Sequence, residues 1–243
     1  SLIEGTSPAV VAYDVNGSLI SEIDVFQMIE VNNGYRPTIV GMDSNDKYIA
    51  LAHKNDDKKV QYKNYRPCIT FLDVNTMKPV KRIFVDDIGE IRFTKDGKKL
   101  YGLSNGNVIE IDIEKGESIE LPIKSDKDNG IEYTLLTVDN DNNIVLFDRG
   151  DDLQVKAFTP KGAPVYTVGK EGGRTPSGWW DETGFGTLTR SICVDNNDHI
   201  WVVEETDSPR RISVWSQDNK LIKDYLSTTG YKAAYSNIDH DRP

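Results

Sequence analysis

Glu204, Glu205 and Asp207 stand beside Arg210 and Arg211, three carboxylates and two guanidinium groups within eight residues. Glu204 could act as a general acid or base if a partner stood at hydrogen-bond reach, a condition that lies beyond sequence. A solvated ion-pair cluster is the simpler reading of these five residues. A second grouping is Gly169 to Arg190, which carries Arg174, Trp179, Trp180, Asp181 and Glu182 among glycines and a proline. Adjacent tryptophans cannot both enter one core from a regular strand, so at least one belongs on a surface. Flat aromatic faces beside charged groups suit stacking on a sugar ring or another planar ligand. The competing reading has both indoles filling a gap in the core. A third grouping, His53 to Arg66, interleaves five basic residues with Tyr62 and Tyr65, a pattern that can hold an anionic polymer. Asp56 and Asp57 dilute that charge, and a solvated loop is the better account.

Metal and nucleophile chemistry finds little support. Asp139-Asn-Asp-Asn-Asn143 and Asp195-Asn-Asn-Asp198 open like calcium loops. Ile144 and Gly150 in the first, and Ile200 and Thr206 in the second, occupy the positions that require glycine and glutamate. His53, His199 and His240 share no ligand spacing, and no nucleophile elbow, phosphate loop, dinucleotide fingerprint or Cys-x-x-Cys pair is present. No cofactor is expected on the first reading. Calcium or another divalent cation enters only on an alternative one.

These groups must be carried by strands. Ile192-Cys-Val194, Ile200-Trp-Val-Val203, Ile212-Ser-Val-Trp215 and Leu221-Ile-Lys-Asp-Tyr225 are short runs rich in β-branched and aromatic residues, separated by polar turns. That is a four-stranded antiparallel meander, the unit of a β-propeller blade. The pattern recurs with second strands starting at Ile49, Leu100, Ile144 and Ile200, and with outer turns at Asp14, Asp73, Asp112 and Thr159. Repeats of four strands each at roughly 40 to 50 residues mark propeller blades. The expected fold is therefore all-β, a single propeller domain over 1–243 of about five to six blades or a segment of a longer propeller. Complete blades are expected at 38–85, 90–123, 134–168 and 190–226, with partial blades at 9–23 and 230–243. On this reading the chain starts and ends mid-blade.

Within a blade of strands a to d, the a–b and c–d turns lie on one side and the b–c and d–a connections on the other. The long segments Ala52 to Pro67, Glu204 to Arg210, Asp24 to Pro37, Lys124 to Tyr133 and Gly169 to Arg190 are all b–c or d–a connections. Loops gathered on one side of a rigid scaffold are where binding sites are usually built.

Composition narrows the partners. With 39 acidic and 29 basic residues the net charge is −10, which repels nucleic acid phosphates and anionic membranes. No run reaches the roughly 18 apolar residues of a membrane span. Cys68 and Cys193 make no disulfide framework and read as small buried apolar groups. Compartment stays open, with an extracytoplasmic setting, secreted or at the cell surface, preferred.

Gly169-Lys-Glu-Gly-Gly-Arg174, Phe185, Ile192-Cys-Val-Asp195, Arg211-Ile-Ser-Val-Trp215 and the Lys220 turn together resemble an NHL repeat, with Asn219 in place of the turn glycine and Thr187-Leu188 in place of a proline. The resemblance is clear over 168–226 and looser elsewhere. It implies a propeller with a binding or scaffolding role, and it admits metal-dependent lactonases. The leading expectation is a non-catalytic module that binds a carbohydrate or protein through the long-loop side, using Trp179, Trp180, Arg174, Asp181, Tyr62, Tyr65, Glu204 and Arg210. The alternatives are a sugar-processing lactone hydrolase or lyase in which Glu204 is catalytic, and a structural repeat in an assembly or longer chain.

Overall fold

The computed structural model describes residues 9–14, 16–24, 38–54, 66–174, 181–205 and 210–227. The chain divides into two compact units, Ser1–Gly89 and Glu90–Pro243.

The first unit holds a hairpin and a full sheet. Strands β1 (Ala9–Tyr13) and β2 (Leu19–Asp24) pair antiparallel. Strands β3 (Thr38–Ser44), β4 (Tyr48–Lys54), β5 (Cys68–Asp73) and β6 (Pro79–Phe84) form a meander in sequence order. Val10 of the hairpin packs with Leu51 and Leu72 of the sheet, so the half-blade is held by the same kind of apolar face that joins whole blades.

The second unit holds three complete meanders. The first is β7 (Ile91–Phe93), β8 (Leu100–Ser104), β9 (Asn107–Asp112) and β10 (Glu117–Glu120). The second is β11 (Tyr133–Val138), β12 (Ile144–Asp148), β13 (Gln154–Phe158) and β14 (Pro164–Val168). The third is β15 (Thr189–Val194), β16 (Ile200–Glu204), β17 (Arg210–Trp215) and β18 (Leu221–Ser227). The middle sheet is apolar on both sides, as in the fully buried Ile144-Val-Leu-Phe-Asp148, because it is covered by a neighbouring sheet on either face. One apolar cluster joins Tyr101, Leu103 and Val108 to Leu136, Val138 and Leu146. Another joins Val145, Phe147 and Val155 to Phe185, Ile192, Val202 and Trp215.

The described residues thus form four four-stranded antiparallel sheets and one two-stranded sheet, the blades of an all-β, propeller-type fold. The four meanders run from Thr38 to Phe84, from Ile91 to Glu120, from Tyr133 to Val168 and from Thr189 to Ser227. The partial blade expected at 230–243 lies outside the described residues.

The innermost strand is bulged at its start in three blades. Pairing slips between Ile39 and Gly41, between Tyr133 and Leu135, and between Thr189 and Ser191, in each case opposite the last residues of the second strand. A bulge re-aims the chain where pairing ends. It marks the side of each sheet on which the long connections enter.

The other side is held by tight turns whose leading aspartate or asparagine accepts backbone N–H groups from its own turn. Asp195 Oδ1 takes Asn197 and His199, and Asn45 Oδ1 takes Lys47 and Tyr48. In the second unit successive turns also bond one another. Lys95 N donates to Asn142 Oδ1, and Asn140 donates through N to Asp198 Oδ1 and through Nδ2 to the Asp195 carbonyl.

Candidate functional site

Glu204 ends β16 and is buried, with 1 % of its surface exposed. Its Oε1 accepts from Arg174 Nη2 at 2.5 Å and from the Gly186 backbone N–H at 2.6 Å, and its Oε2 lies 3.5 Å from Arg211 Nη1. Arg211, the second residue of β17, forks onto Asp224 of β18 through Nε at 2.6 Å and Nη2 at 3.0 Å. It also donates to the carbonyls of Gly184 at 3.1 Å and Glu182 at 2.5 Å. Two carboxylates and two guanidinium groups therefore meet in one buried knot on the side of the blade where the connections are long.

Both shoulders of the Gly169–Arg190 connection are tied to that knot. On one side is Arg174, whose backbone N–H also donates to the Phe185 carbonyl at 2.9 Å. On the other are Glu182, Gly184 and Gly186. The glycine-rich lead is required for this crossing. Gly173 holds φ +59, and a Cβ there would stand 2.4 Å from the Phe185 carbonyl oxygen; one on Gly184 would stand 2.6 Å from the Gly173 carbonyl carbon. Phe185 then turns into the core, edge-on to Trp215 and to Phe147 of the preceding blade.

The electrostatics follow from burial. Loss of water pushes the Glu204 carboxyl up from its ordinary value, opposed by Arg174, the Gly186 N–H and Arg211. Burial likewise lowers Arg174, with Glu204 opposing. Asp181 sits in the opposite setting, near water: Lys170, then the Thr183 hydroxyl and N–H, hold its carboxyl well below the usual carboxylate range. Lys170 Nζ lies 2.7 Å from Asp181 Oδ2, which clips the connection to itself further out.

Of the residues expected to make contacts, the fold brings Arg174 and Glu204 together and sets Asp181 nearby on Lys170. Arg210 is half-buried, and successive residues of a strand point to opposite faces, so it is directed away from its neighbour Arg211. Trp179, Trp180, Tyr62 and Tyr65 lie outside the described residues.

A second buried carboxylate occupies the equivalent position one blade earlier. Asp148 ends β12 as Glu204 ends β16. Its Oδ1 accepts from the backbone N–H groups of Glu132 and Gly150, both at 2.9 Å, and its Oδ2 from Lys156 Nζ at 2.8 Å. Lys156 is shared with Asp152. In both blades the last residue of the second strand thus captures an N–H just ahead of the innermost strand and a cation, Arg211 or Lys156, from the third strand. Sequence reading passed over Asp148, although counting four residues on from Ile144, as from Ile200 to Glu204, would have found it. The same count leads to His53 in the first unit. His53 is fully buried, with Nε2 2.8 Å from Thr70 Oγ1 and 3.2 Å from Cys68 Sγ.

The two aspartate-rich turns do not present a cation site. Asp139 Oδ1 accepts from Asp141 and Asn143 N–H, and its Oδ2 from Asn143 Nδ2 and the Tyr166 hydroxyl. Asp195 gives its second oxygen to Trp201 Nε1 at 3.0 Å. The lone pairs a cation would need are spent on the protein's own donors. Among the described residues no group of three or more histidine, cysteine or acidic side chains is placed to hold a metal ion. No helix among them is long and apolar enough to cross a membrane.

No known protein-family model matches the chain. No curated protein matches it either. Solved structures do. Hydrazine synthase from Kuenenia stuttgartiensis aligns with a TM-score of 0.53 at 13 % identity, over 81 % of this chain and 51 % of its own. A streptogramin B lyase aligns with a TM-score of 0.51 at 16 % identity, over 79 % of this chain and 55 % of its own. At such identities the likeness is one of fold, and it supports the propeller-type architecture. The chain spans about half the length of the solved structures it resembles.

Proposed function

We propose that this chain is a non-catalytic, NHL-repeat-like β-propeller module that binds a carbohydrate or protein partner through its long-loop side, with 1–243 acting as a single propeller domain or as part of a longer one. The observation that carries the reading is the double anchorage of the Gly169–Arg190 connection on the buried Glu204–Arg211 knot. A connection pinned at both shoulders loses little freedom when it binds, which favours affinity. Trp179, Trp180, Asp181, Tyr62, Tyr65 and Arg210 are assigned to contacts with the partner. Arg174 and Glu204 serve the same site from beneath, by holding the connection in place.

The test is a glycan array and a pull-down with the chain and with the Trp179→Ala/Trp180→Ala variant. The expected result is capture by the parent chain, and loss of that capture at an unchanged unfolding midpoint in the variant. Capture that survives the double substitution would remove the connection from the site.

The enzymatic alternative, a sugar lactone hydrolase or lyase, has one specific point in its favour: burial raises the Glu204 carboxyl, as a general acid requires. Against it, both Glu204 oxygens face cations or an N–H of the protein itself, and the two aspartate-rich turns do not suit the divalent cation that chemistry would use. Metal-dependent lactone turnover abolished by Glu204→Gln, in a variant that still folds, would reverse the preference.

A further inference from the structure

Arg211 divides its N–H groups among two carboxylates and two carbonyls. Nε and Nη2 fork onto the two oxygens of Asp224 at 2.6 and 3.0 Å. Nη2 also reaches the Glu182 carbonyl at 2.5 Å, and Nη1 reaches the Gly184 carbonyl at 3.1 Å and Glu204 Oε2 at 3.5 Å. A guanidinium is planar and rigid, so two bonds to one carboxylate fix both its plane and its rotation. The N–H groups outside the fork are then aimed, and in this blade they are aimed at two carbonyls of the Gly169–Arg190 connection. The guanidinium carbon also lies over the Trp215 ring, 5.7 Å from its centroid, which supports the plane from the core.

Strand pairing puts Asp224 in place for this. Arg211 stands opposite Glu204 on β16 and opposite Leu226 on β18. Asp224 is two residues from that β18 partner, on the same face and within the diagonal reach of a long side chain. A row of alternating charge results. It runs from Asp224 through Arg211 and Glu204 to Arg174, across the blade from its outermost strand to the lead of the connection. The Arg211 and Glu204 side chains are fully buried, and Asp224 is the end of the row on β18 that meets water.

We propose that Asp224 is a positioning residue for the connection. By holding the Arg211 fork it keeps the other guanidinium N–H groups on the Glu182 and Gly184 carbonyls, and so fixes the trailing shoulder. This role rests on the binding function proposed above. With the Asp224 charge removed, the pull on Arg211 comes from Glu204. The guanidinium then turns toward Glu204, gives up the two carbonyls and competes with Arg174 for the same carboxylate. Both shoulders loosen from a single change on the outermost strand.

The test is hydrogen exchange on the folded parent chain and on Asp224→Asn and Asp224→Glu. The reporters are the Lys170 and Arg174 amides, which donate across the connection to the Thr183 and Phe185 carbonyls at 2.8 and 2.9 Å. The paired amides of β16 and β17 are the reference. Asp224→Asn is expected to speed the reporters by about tenfold relative to the reference, the weight of one hydrogen bond to a charged group. Asparagine keeps the shape of aspartate and loses its charge, whereas glutamate keeps the charge and is one methylene longer. Asp224→Glu should therefore restore the parent rates if charge holds the fork, and should be the more disruptive change if packing does. Reporter rates unchanged by Asp224→Asn, or raised and not restored by Asp224→Glu, overturn the assignment. So does faster exchange that extends equally into β16 and β17. Exchange is read without a partner. A parent chain that captures nothing on the glycan array would remove the binding function, while the hold of Asp224 on the connection would still be decided by these rates.

Discussion

Acid should loosen the first unit through one residue, His53. Its imidazole is fully buried between β4 and β5 against Thr70 and Cys68. Burial, with a smaller push from the Arg82 charge, lowers its pKa to about 4. In the unfolded chain it titrates near 6.5. The unfolded state therefore takes up the proton first. Stability is complete above the unfolded value and falls as pH drops through the window from about 6.5 to 4, with no further loss from this group below it. At pH 5 the unfolded imidazole is almost fully protonated and the folded one is not, a difference of about 2 kcal/mol. Replacing His53 with glutamine removes the titration and keeps a polar group of similar reach near Thr70. The assay is hydrogen exchange of the β4 and β5 amides at pH 7 and pH 5, corrected for intrinsic rates, because all four tryptophans lie in the second unit and fluorescence would report on that instead. The parent chain should lose about 2 kcal/mol more opening free energy between the two pH values than His53→Gln. Carboxylates titrate in both proteins and cancel. Equal losses would mean that His53 is hydrated or already charged in the fold, and the argument from burial would fail.

Glu204→Gln should destabilise the second unit by about 3 kcal/mol in urea unfolding followed by tryptophan fluorescence, since it leaves the Arg174 guanidinium facing a neutral amide while Arg211 keeps Asp224. Asp148→Asn should be milder, because Lys156 keeps Asp152. Asn219→Gly relaxes a φ of 62°, but it removes the side-chain oxygen that accepts Gly169 N–H at 2.7 Å. A net loss of about 1 kcal/mol is expected, and stabilisation on thermal melting would show that the turn strain outweighs the bond.

The departure of Asn219 from the repeat's glycine illustrates how much was legible. The turn and its positive φ follow from local chemistry, since asparagine tolerates that conformation. The reason for asparagine over glycine is a bond to Gly169, fifty residues away in the chain. Similarly, Asp139 and Asp195 carry the composition of a calcium loop, and only the turn geometry reveals that their oxygens serve neighbouring N–H groups. The role of Phe185 in the core, and the need for glycine at 173 and 184, become visible once the connection is seen to cross itself.

From sequence alone came the strands, their grouping in fours, the side on which long connections emerge and the propeller-type fold. These depend on short-range physics: alternation, β-branched content and turn residues recur in every blade, so each copy corroborates the others. Tertiary structure alone decided what the charged groups do. Arg174, Glu204, Arg211 and Asp224 are spread over fifty residues of chain, and no spacing rule relates them. It took the packing of a loop onto the end of a strand to bury them together. That burial set Glu204, the best catalytic candidate by residue type, between Arg174, the Gly186 N–H and Arg211.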